Sequence, residues 1–151
     1  MNSRKRVLVA GGAGYIGSHM VKMLGAAGHD VVTYDDLSSG HRDAVLCGTF
    51  VEGNLSDTGR LGELLATGFD AVMHFASYIQ VGESIRDPGK YYRNNVGNTL
   101  NLLEGMSANG IRNFIFSSTA AVFGEPQYVP LDEKHPRAPI NPYGMSKALV
   151  E

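Results

Sequence analysis

Tyr143 and Lys147 stand four residues apart, and in a helix they would share a face. A free phenol holds its proton too tightly to act as a base at neutral pH. A lysine ammonium about 5 Å away, at an effective dielectric of about 20, favours the phenolate by roughly 3 kcal/mol, two pKa units or more. Such a pair can take a proton from a hydroxyl and return it. Alone it is also an ordinary pairing on an exposed helix face, so its weight comes from its companions. Ser117-Ser118-Thr119 follow the apolar run Phe114–Phe116. A hydroxyl there could bridge Tyr143 and a substrate hydroxyl, or simply close a turn.

A second chemistry is written near the N-terminus. Gly11-Gly12-Ala13-Gly14-Tyr15-Ile16-Gly17 comes after one apolar run and before a helical pattern. Small residues let the backbone turn tightly and approach a pyrophosphate, and a helix N-terminus offers free N–H groups and partial positive charge. Gly17 would let that helix pack close to the sheet. A glycine-rich turn is weak as a signal, but a strand before it and a helix after it are the confirming context. Asp35-Asp36 end the next apolar run, with Asp35 lying 18 residues beyond Gly17. An acidic residue at about that distance takes up the hydroxyls of an adenosine ribose. Two carboxylates there would repel a 2′-phosphate, which favours NAD over NADP, although Arg42 is close enough in sequence to serve such a phosphate.

The elements that must position these groups read as alternating strands and helices. Val7–Ala10, Val31–Tyr34, Thr49–Val51, Ala71–Phe75 and Phe114–Phe116 are short and mostly β-branched or aromatic. They lack alternation, as strands buried on both faces of a parallel sheet do. Ile16, Met20, Met23, Leu24 and Ala27 predict one helical face that Gly28 ends, with Met20 and Met23 filling core gaps. Leu61, Leu64 and Leu65, capped by Asp57, predict a second; Val96, Leu100 and Leu103, ending before Gly110, predict a third. This order implies right-handed crossovers and a Rossmann-like, doubly wound α/β sheet. Gly124–Pro142 holds five of the six prolines and reads as an ordered irregular loop. Asn141 and Pro142 then open a helix over Tyr143–Glu151. A doubly wound sheet wants a further strand after it, so residues 1–151 are expected to be the NAD-binding front of a longer protein whose substrate domain lies beyond.

Composition narrows the class. Thirteen Lys and Arg against fifteen Asp and Glu give a net charge of −2, which excludes a polycationic nucleic-acid binder and gives no electrostatic reason for membrane binding. The basic Asn2–Arg6 stretch precedes only four apolar residues, too few for a secretory signal, so a cytoplasmic location is expected. The single cysteine, Cys47, reads as structural, and His29, His41 and His135 show no metal-ligand spacing. His19 and His74 read as packing or supporting groups.

Together the four sites resemble the extended short-chain dehydrogenase/reductase family over the whole chain. The stretches that carry the resemblance include Val9–Gly17 with Ser18-His19, Asp35-Asp36-Leu37-Ser38, His74-Phe75-Ala76, Val81-Gly82-Glu83-Ser84, Tyr91-Tyr92 with Asn94-Asn95-Val96, Phe116–Ala121 and Asn141–Lys147. The resemblance is strongest to members that interconvert UDP-glucose and UDP-galactose with tightly bound NAD. It implies a catalytic set of Tyr143, Lys147 and Thr119, with Thr119 as relay. It also implies that Asn54 and Leu55 lie against the adenine and that Phe75, Ala76, Ser77, Asn94 and Ser117 line the cofactor pocket. Gly11, Gly14, Tyr15, Ile16 and Gly17 would hold its phosphates, Asp35 and Asp36 its ribose, and Lys147 the nicotinamide ribose. A homodimer of the full-length protein is implied as well. Asn54, Ile79 and Phe123 depart from residues common in the family. Ala120-Ala121 stand where dehydratases of the family carry an acid–base pair, which disfavours water loss. Epimerases of UDP-N-acetylglucosamine or UDP-glucuronate, and a non-catalytic NAD-binding module, remain as alternatives.

Overall fold

The computed structural model describes residues 3–151; Asn2, the first residue of the basic stretch, lies outside the described residues. Five strands, β1 (Arg6–Ala10), β2 (Asp30–Asp35), β3 (Thr49–Glu52), β4 (Ala71–His74) and β5 (Phe114–Phe116), pair in parallel in the order β3-β2-β1-β4-β5. The helices are α1 (Tyr15–Ala26), α2 (Thr58–Leu65), α3 (Val81–Arg86), α4 (Pro88–Tyr91), α5 (Asn98–Ala108) and α6 (Pro142–Ala148), with a π-helical turn at Tyr92–Gly97 and 3₁₀ turns at Arg42–Ala44 and Ala120–Phe123. The order is that of a doubly wound Rossmann-like sheet. It reverses between β1 and β4, the crevice where ligands of such sheets bind.

The side-chain alternation of the central strands divides the core in two. Leu8, Ala10, Val32, Tyr34 and Val72 meet Leu61 and Leu65 of α2 and Leu102 and Met106 of α5. Val7, Val9, Val31 and Met73 point the other way, onto Met20, Val21 and Leu24 of α1. The chain forms two compact units, one running to Ala76 and including Leu100–Ser117, the other Ser77–Thr99 with Ser118–Glu151.

Several expectations shift. Thr49 and Glu52 of β3 are exposed and Ile115 of β5 is 51% exposed, so the two edge strands are not buried on both faces as read. Helix α1 turns Gly17 and Val21 inward while Ile16 and Met23 are 59% and 66% exposed, so Met23 is not a core residue. Gly28 does end that helix at φ 83°, its N–H donating to Gly25 O and that of His29 to Leu24 O. Asp57 caps α2 by accepting from Arg60 N–H at 3.0 Å. Tyr91, Asn95, Thr99, Leu102 and Met106 are the fully buried residues before and along α5; of the predicted face, Leu103 packs against the core and Val96 is half-buried, while Leu100 is 54% exposed. Asn95 and Thr99 are polar yet 1% exposed, and their polarity hid the face. The 124–141 segment carries no helix or strand, as its prolines require.

Candidate active site

In the first unit the glycine turn closes on itself and on the end of β4. Gly11 has φ 79°, and a Cβ there would run into the backbone of Phe75 and Ala76. A Cβ on Gly17 would overlap the Gly11 carbonyl, so this glycine sets how closely α1 approaches the turn. Gly14 differs: an added Cβ would meet only Gly11 O, at an ordinary 3.4 Å. Nothing in the protein forbids a side chain at Gly14. Gly14 is also the N-cap of α1, gives it no side-chain cap, and no acidic residue stands in the first turn. The N-terminal partial positive charge of this 12-residue helix thus meets no side-chain cap at Gly14 and no acidic residue in its own first turn. Tyr15 is 83% exposed beside it and stacks edge-on with His19, which is exposed rather than packed inside.

The two aspartates divide their work. Asp35 is 9% exposed; Oδ2 accepts from Ala13 N–H and Oδ1 from Leu37 N–H, both at 2.9 Å. Its carboxylate therefore ties β2 to the glycine turn. Asp36 is half-buried, accepting from Ser38 N–H at 2.9 Å and from the Asn54 amide. Asp35, Asp36 and Asn54 thus converge at the carboxyl ends of β2 and β3. Leu55 faces the core at 6% exposure, with its carbonyl accepting from Asn101. Phe75 N–H donates to Ala10 O and Ser117 N–H to His74 O, placing both at strand ends. Arg42 lies over the Phe50 ring at 4.5 Å. Cys47 packs against Gly25 and donates to Val21 O, a structural role. His74, at 1% exposure, packs against Phe114 and Phe116.

The second unit gathers the proton-transfer groups. Asn141 caps α6 by accepting from Gly144 N–H at 2.8 Å, and Pro142 sits in the first turn, as read. A Cβ on Gly144 would come within 2.6 Å of Ala121 O, so this glycine lets α6 approach the 3₁₀ turn that Thr119 begins. Thr119 Oγ1 accepts from Ala121 N–H at 3.2 Å, which is the capping role; its own proton remains available to donate. Ser118 is exposed and bonded to Glu151. Tyr143 is half-buried, its N–H donating to Ser84 Oγ at 3.2 Å and its ring meeting Tyr91 edge-on at 6.5 Å. Lys147 is 3% exposed and donates to Ser77 Oγ at 2.8 Å. Burial pushes its ammonium down to about 8.

That depression has a sign. Between about 8 and the ordinary 10.5 the unfolded chain holds a proton the folded one has shed, so this group makes stability rise with pH across that window. At pH 7 the buried ammonium costs stability. Lys147→Met is expected to raise stability at pH 7 by about 1–3 kcal/mol, net of the lost bond to Ser77, and to flatten that rise. Urea unfolding at pH 7 and pH 9 checks it; a variant less stable than the parent at pH 7 contradicts it.

Sequence reading did not find the Lys147–Ser77 pair as such, nor Asn95, Ser146 or the Glu83–Tyr91 contact. Asn95, Ser146, Glu83 and Tyr91 lie in stretches that carry the family resemblance, but nothing in the sequence showed which partners they meet. Behind Tyr91, Glu83 joins Lys90 at 2.6 Å, and the Tyr91 hydroxyl lies 2.9 Å from Glu83 Oε2. His135 is buried between Phe123 and Tyr128 in the proline-rich loop. Among the described residues no group of three or more His, Cys, Asp or Glu could hold a metal, and no helix is long and apolar enough to cross a membrane.

The sheet order, the glycine turn after β1 and the Tyr–Lys pair on one helix are together those of an extended short-chain dehydrogenase/reductase. A model of the NAD dependent epimerase/dehydratase family matches residues 7–151, and the chain belongs to that family. It is 52% identical over 146 residues to UDP-glucose 4-epimerase of Rhizobium leguminosarum bv. trifolii, covering 96% of this chain and 45% of that one. UDP-glucose 4-epimerase from Brucella ovis, solved in complex with NAD, superposes with a TM-score of 0.95 at 48% identity, over 98% of this chain and 46% of that one. The UDP-Glc/GlcNAc 4-epimerase from Campylobacter jejuni does so with a TM-score of 0.92 at 44% identity, over 96% and 46%. The chain thus spans about 45% of the length of the curated relatives it matches.

Proposed function

We propose that these residues form the NAD-binding and proton-transfer portion of a UDP-sugar 4-epimerase acting on UDP-glucose and UDP-galactose. The observation that carries the reading is Lys147, an almost fully buried ammonium one helical turn from Tyr143. Lysine is rarely buried, and a costly ionisable group beside a phenol marks a site of chemistry. The residues also fit a dinucleotide: α1 lacks an intrinsic cap where a pyrophosphate would sit, and Gly14 alone in the turn owes its smallness to nothing in the protein.

NAD, when bound, supplies a hydride acceptor at C4 of the sugar that can return the hydride to the other face of the 4-keto form, leaving no net redox change. Gly11, Gly14, Tyr15, Ile16 and Gly17 hold its pyrophosphate. Asp36, the more open carboxylate, accepts from the adenosine ribose while Asp35 holds the turn in shape. Asn54 meets the adenine, and Phe75, Ala76, Ser77, Asn94 and Ser117 complete the binding set. Tyr143 takes the proton of the 4-hydroxyl and gives it back, with Thr119 donating to bridge phenol and sugar. Lys147 favours the phenolate and binds the nicotinamide ribose.

Two tests follow. Calorimetric titration of the chain should give NAD at least about tenfold tighter than NADP, since paired carboxylates repel a 2′-phosphate; equal affinities would remove the role given to Asp36. The whole protein, at the length of its relatives, should turn UDP-galactose into UDP-glucose. Turnover of UDP-N-acetylgalactosamine alone would reassign the sugar. Residues 1–151 by themselves should bind NAD and show no turnover; robust epimerisation by them would overturn that division of labour.

A further inference from the structure

We propose that His135, as a neutral imidazole, is a positioning residue for Thr119: buried inside the proline-rich loop, it latches that loop against the 3₁₀ turn that Thr119 begins, a role that rests on the epimerase reading. His135 is 3% exposed. Both ring nitrogens meet backbone. Nε2 lies 2.9 Å from Gln127 N, which can only donate, and Nδ1 lies 2.9 Å from Pro136 O, which can only accept. One form of the ring serves both: Nδ1 carries the proton and Nε2 offers its lone pair. The ring is wedged between Phe123, edge-on at 5.2 Å, and Tyr128 at 4.8 Å. Its backbone N–H donates to Asp132 O at 3.1 Å, while the Asp132 carboxylate accepts from the Tyr128 hydroxyl at 2.7 Å and from Lys134 N–H at 3.0 Å. The loop from Gln127 to Pro136 is thus closed around one imidazole.

That loop is fastened to the turn. Phe123, on which His135 rests, is the last residue of the 3₁₀ turn Ala120–Phe123, whose N-cap is Thr119. Ala138 N–H donates to Val122 O at 3.0 Å, and a Cβ on Gly124 would overlap Ala138 O, so the two arms of the loop touch where they leave the turn. The turn also meets α6, where Gly144 seats on the Ala121 carbonyl. Thr119 is therefore placed by two neighbours, the helix that bears Tyr143 and the loop that His135 fills. Without the imidazole, Gln127 N–H and Pro136 O both lose their partner and Phe123 loses its support. The latch is also acid-labile. Free imidazole takes up its second proton at about pH 6.5. Here that proton would sit on Nε2, pointing at the Gln127 N–H, and two donors repel. Tyr128 and Asp132 are the titratable groups set against the ring from the loop, and the turn brings only Ala120, Ala121, Val122 and Phe123. The Asp132 carboxylate attracts an imidazolium without restoring the bond to Gln127.

The test uses the whole protein with His135→Ala and His135→Gln; the glutamine side-chain carbonyl can accept from Gln127 N–H but takes up no proton. A relay group misplaced by about 1 Å can cost about a hundredfold in rate. His135→Ala is expected to lower kcat per NAD-loaded enzyme about 10–100-fold, with KM for UDP-galactose little changed. His135→Gln should stay within about fivefold of the parent near neutral pH, and below about pH 6.5 its kcat should fall less steeply than the parent's. A purely structural role would lower the melting temperature of His135→Ala and leave kcat per loaded enzyme as in the parent; that result overturns the proposal. Where His135→Ala does not fold, His135→Gln decides, and an acid limb identical to the parent's overturns it. A parent protein that holds NAD yet leaves UDP-sugars unchanged overturns the epimerase reading itself, and with it this role.

Discussion

Tyr143→Phe is expected to lower turnover of UDP-galactose by the whole protein about 10²–10⁴-fold, the range for a positioned acid–base group, while bound NAD stays in place. The variant removes one oxygen atom and little else. The ring keeps its edge-on contact with Tyr91, its backbone N–H still donates to Ser84, and Gly144 still seats α6 on the Ala121 carbonyl. Stability should therefore move by no more than about 1 kcal/mol, the worth of a typical hydrogen bond. Loss of turnover with intact fold and cofactor content isolates the proton-transfer step. Initial rates and the nucleotide released on denaturation measure both sides of this split, and unchanged turnover ends the catalytic assignment of Tyr143.

The second large effect separates two glycines three residues apart. Gly17→Ala places a methyl group on the Gly11 carbonyl, a backbone atom that cannot rotate away. Either α1 lifts from the turn or the turn opens, and both loosen the packing of Val21, Met20 and Leu24 on the sheet. Overpacking a rigid site costs about 1–3 kcal/mol and occasionally more; a backbone overlap belongs at the upper end. Gly14→Ala has φ −76° and an ordinary 3.4 Å contact, so the fold should lose under about 1 kcal/mol. Its methyl instead occupies the approach to the α1 N-terminus, and NAD affinity should fall at least about tenfold. Urea unfolding and NAD titration on the two variants check the contrast. Equal NAD affinity for Gly14→Ala and the parent would remove the pyrophosphate from this turn.

How much of this was legible in the sequence depended on whether a residue's role is local. Asn141 before Pro142, Asp57 before α2 and Gly28 after α1 were readable because caps act within a turn of themselves. The edges of the sheet were not, because exposure of Ile115 or Thr49 depends on strand order, which no single strand encodes. Helices α3 and α4 are too short, and too rich in Gly82, Pro88 and Gly89, to show a period. Along α5 the reading kept Leu103 on the core but missed Asn95 and Thr99 and put the exposed Leu100 inside, because those two satisfy their polar groups inside and apolar periodicity cannot register a buried amide. The site shows the same division. Tyr143, Lys147 and the glycines announced themselves by type and spacing. That Asp35 is buried against Ala13 while Asp36 is the less buried of the two and meets Asn54, and that Ser77 receives the Lys147 ammonium, are matters of distance between segments far apart in the chain.

The most direct measurement is the nucleotide recovered from the whole protein after brief exposure to UDP-galactose and denaturation. NAD in amounts matching the protein is expected, with a fraction recovered as NADH from the parent and almost none from Tyr143→Phe. Recovery of no nicotinamide nucleotide, or of equal NADH from parent and variant, would contradict a C4 oxidation that depends on the phenol of Tyr143.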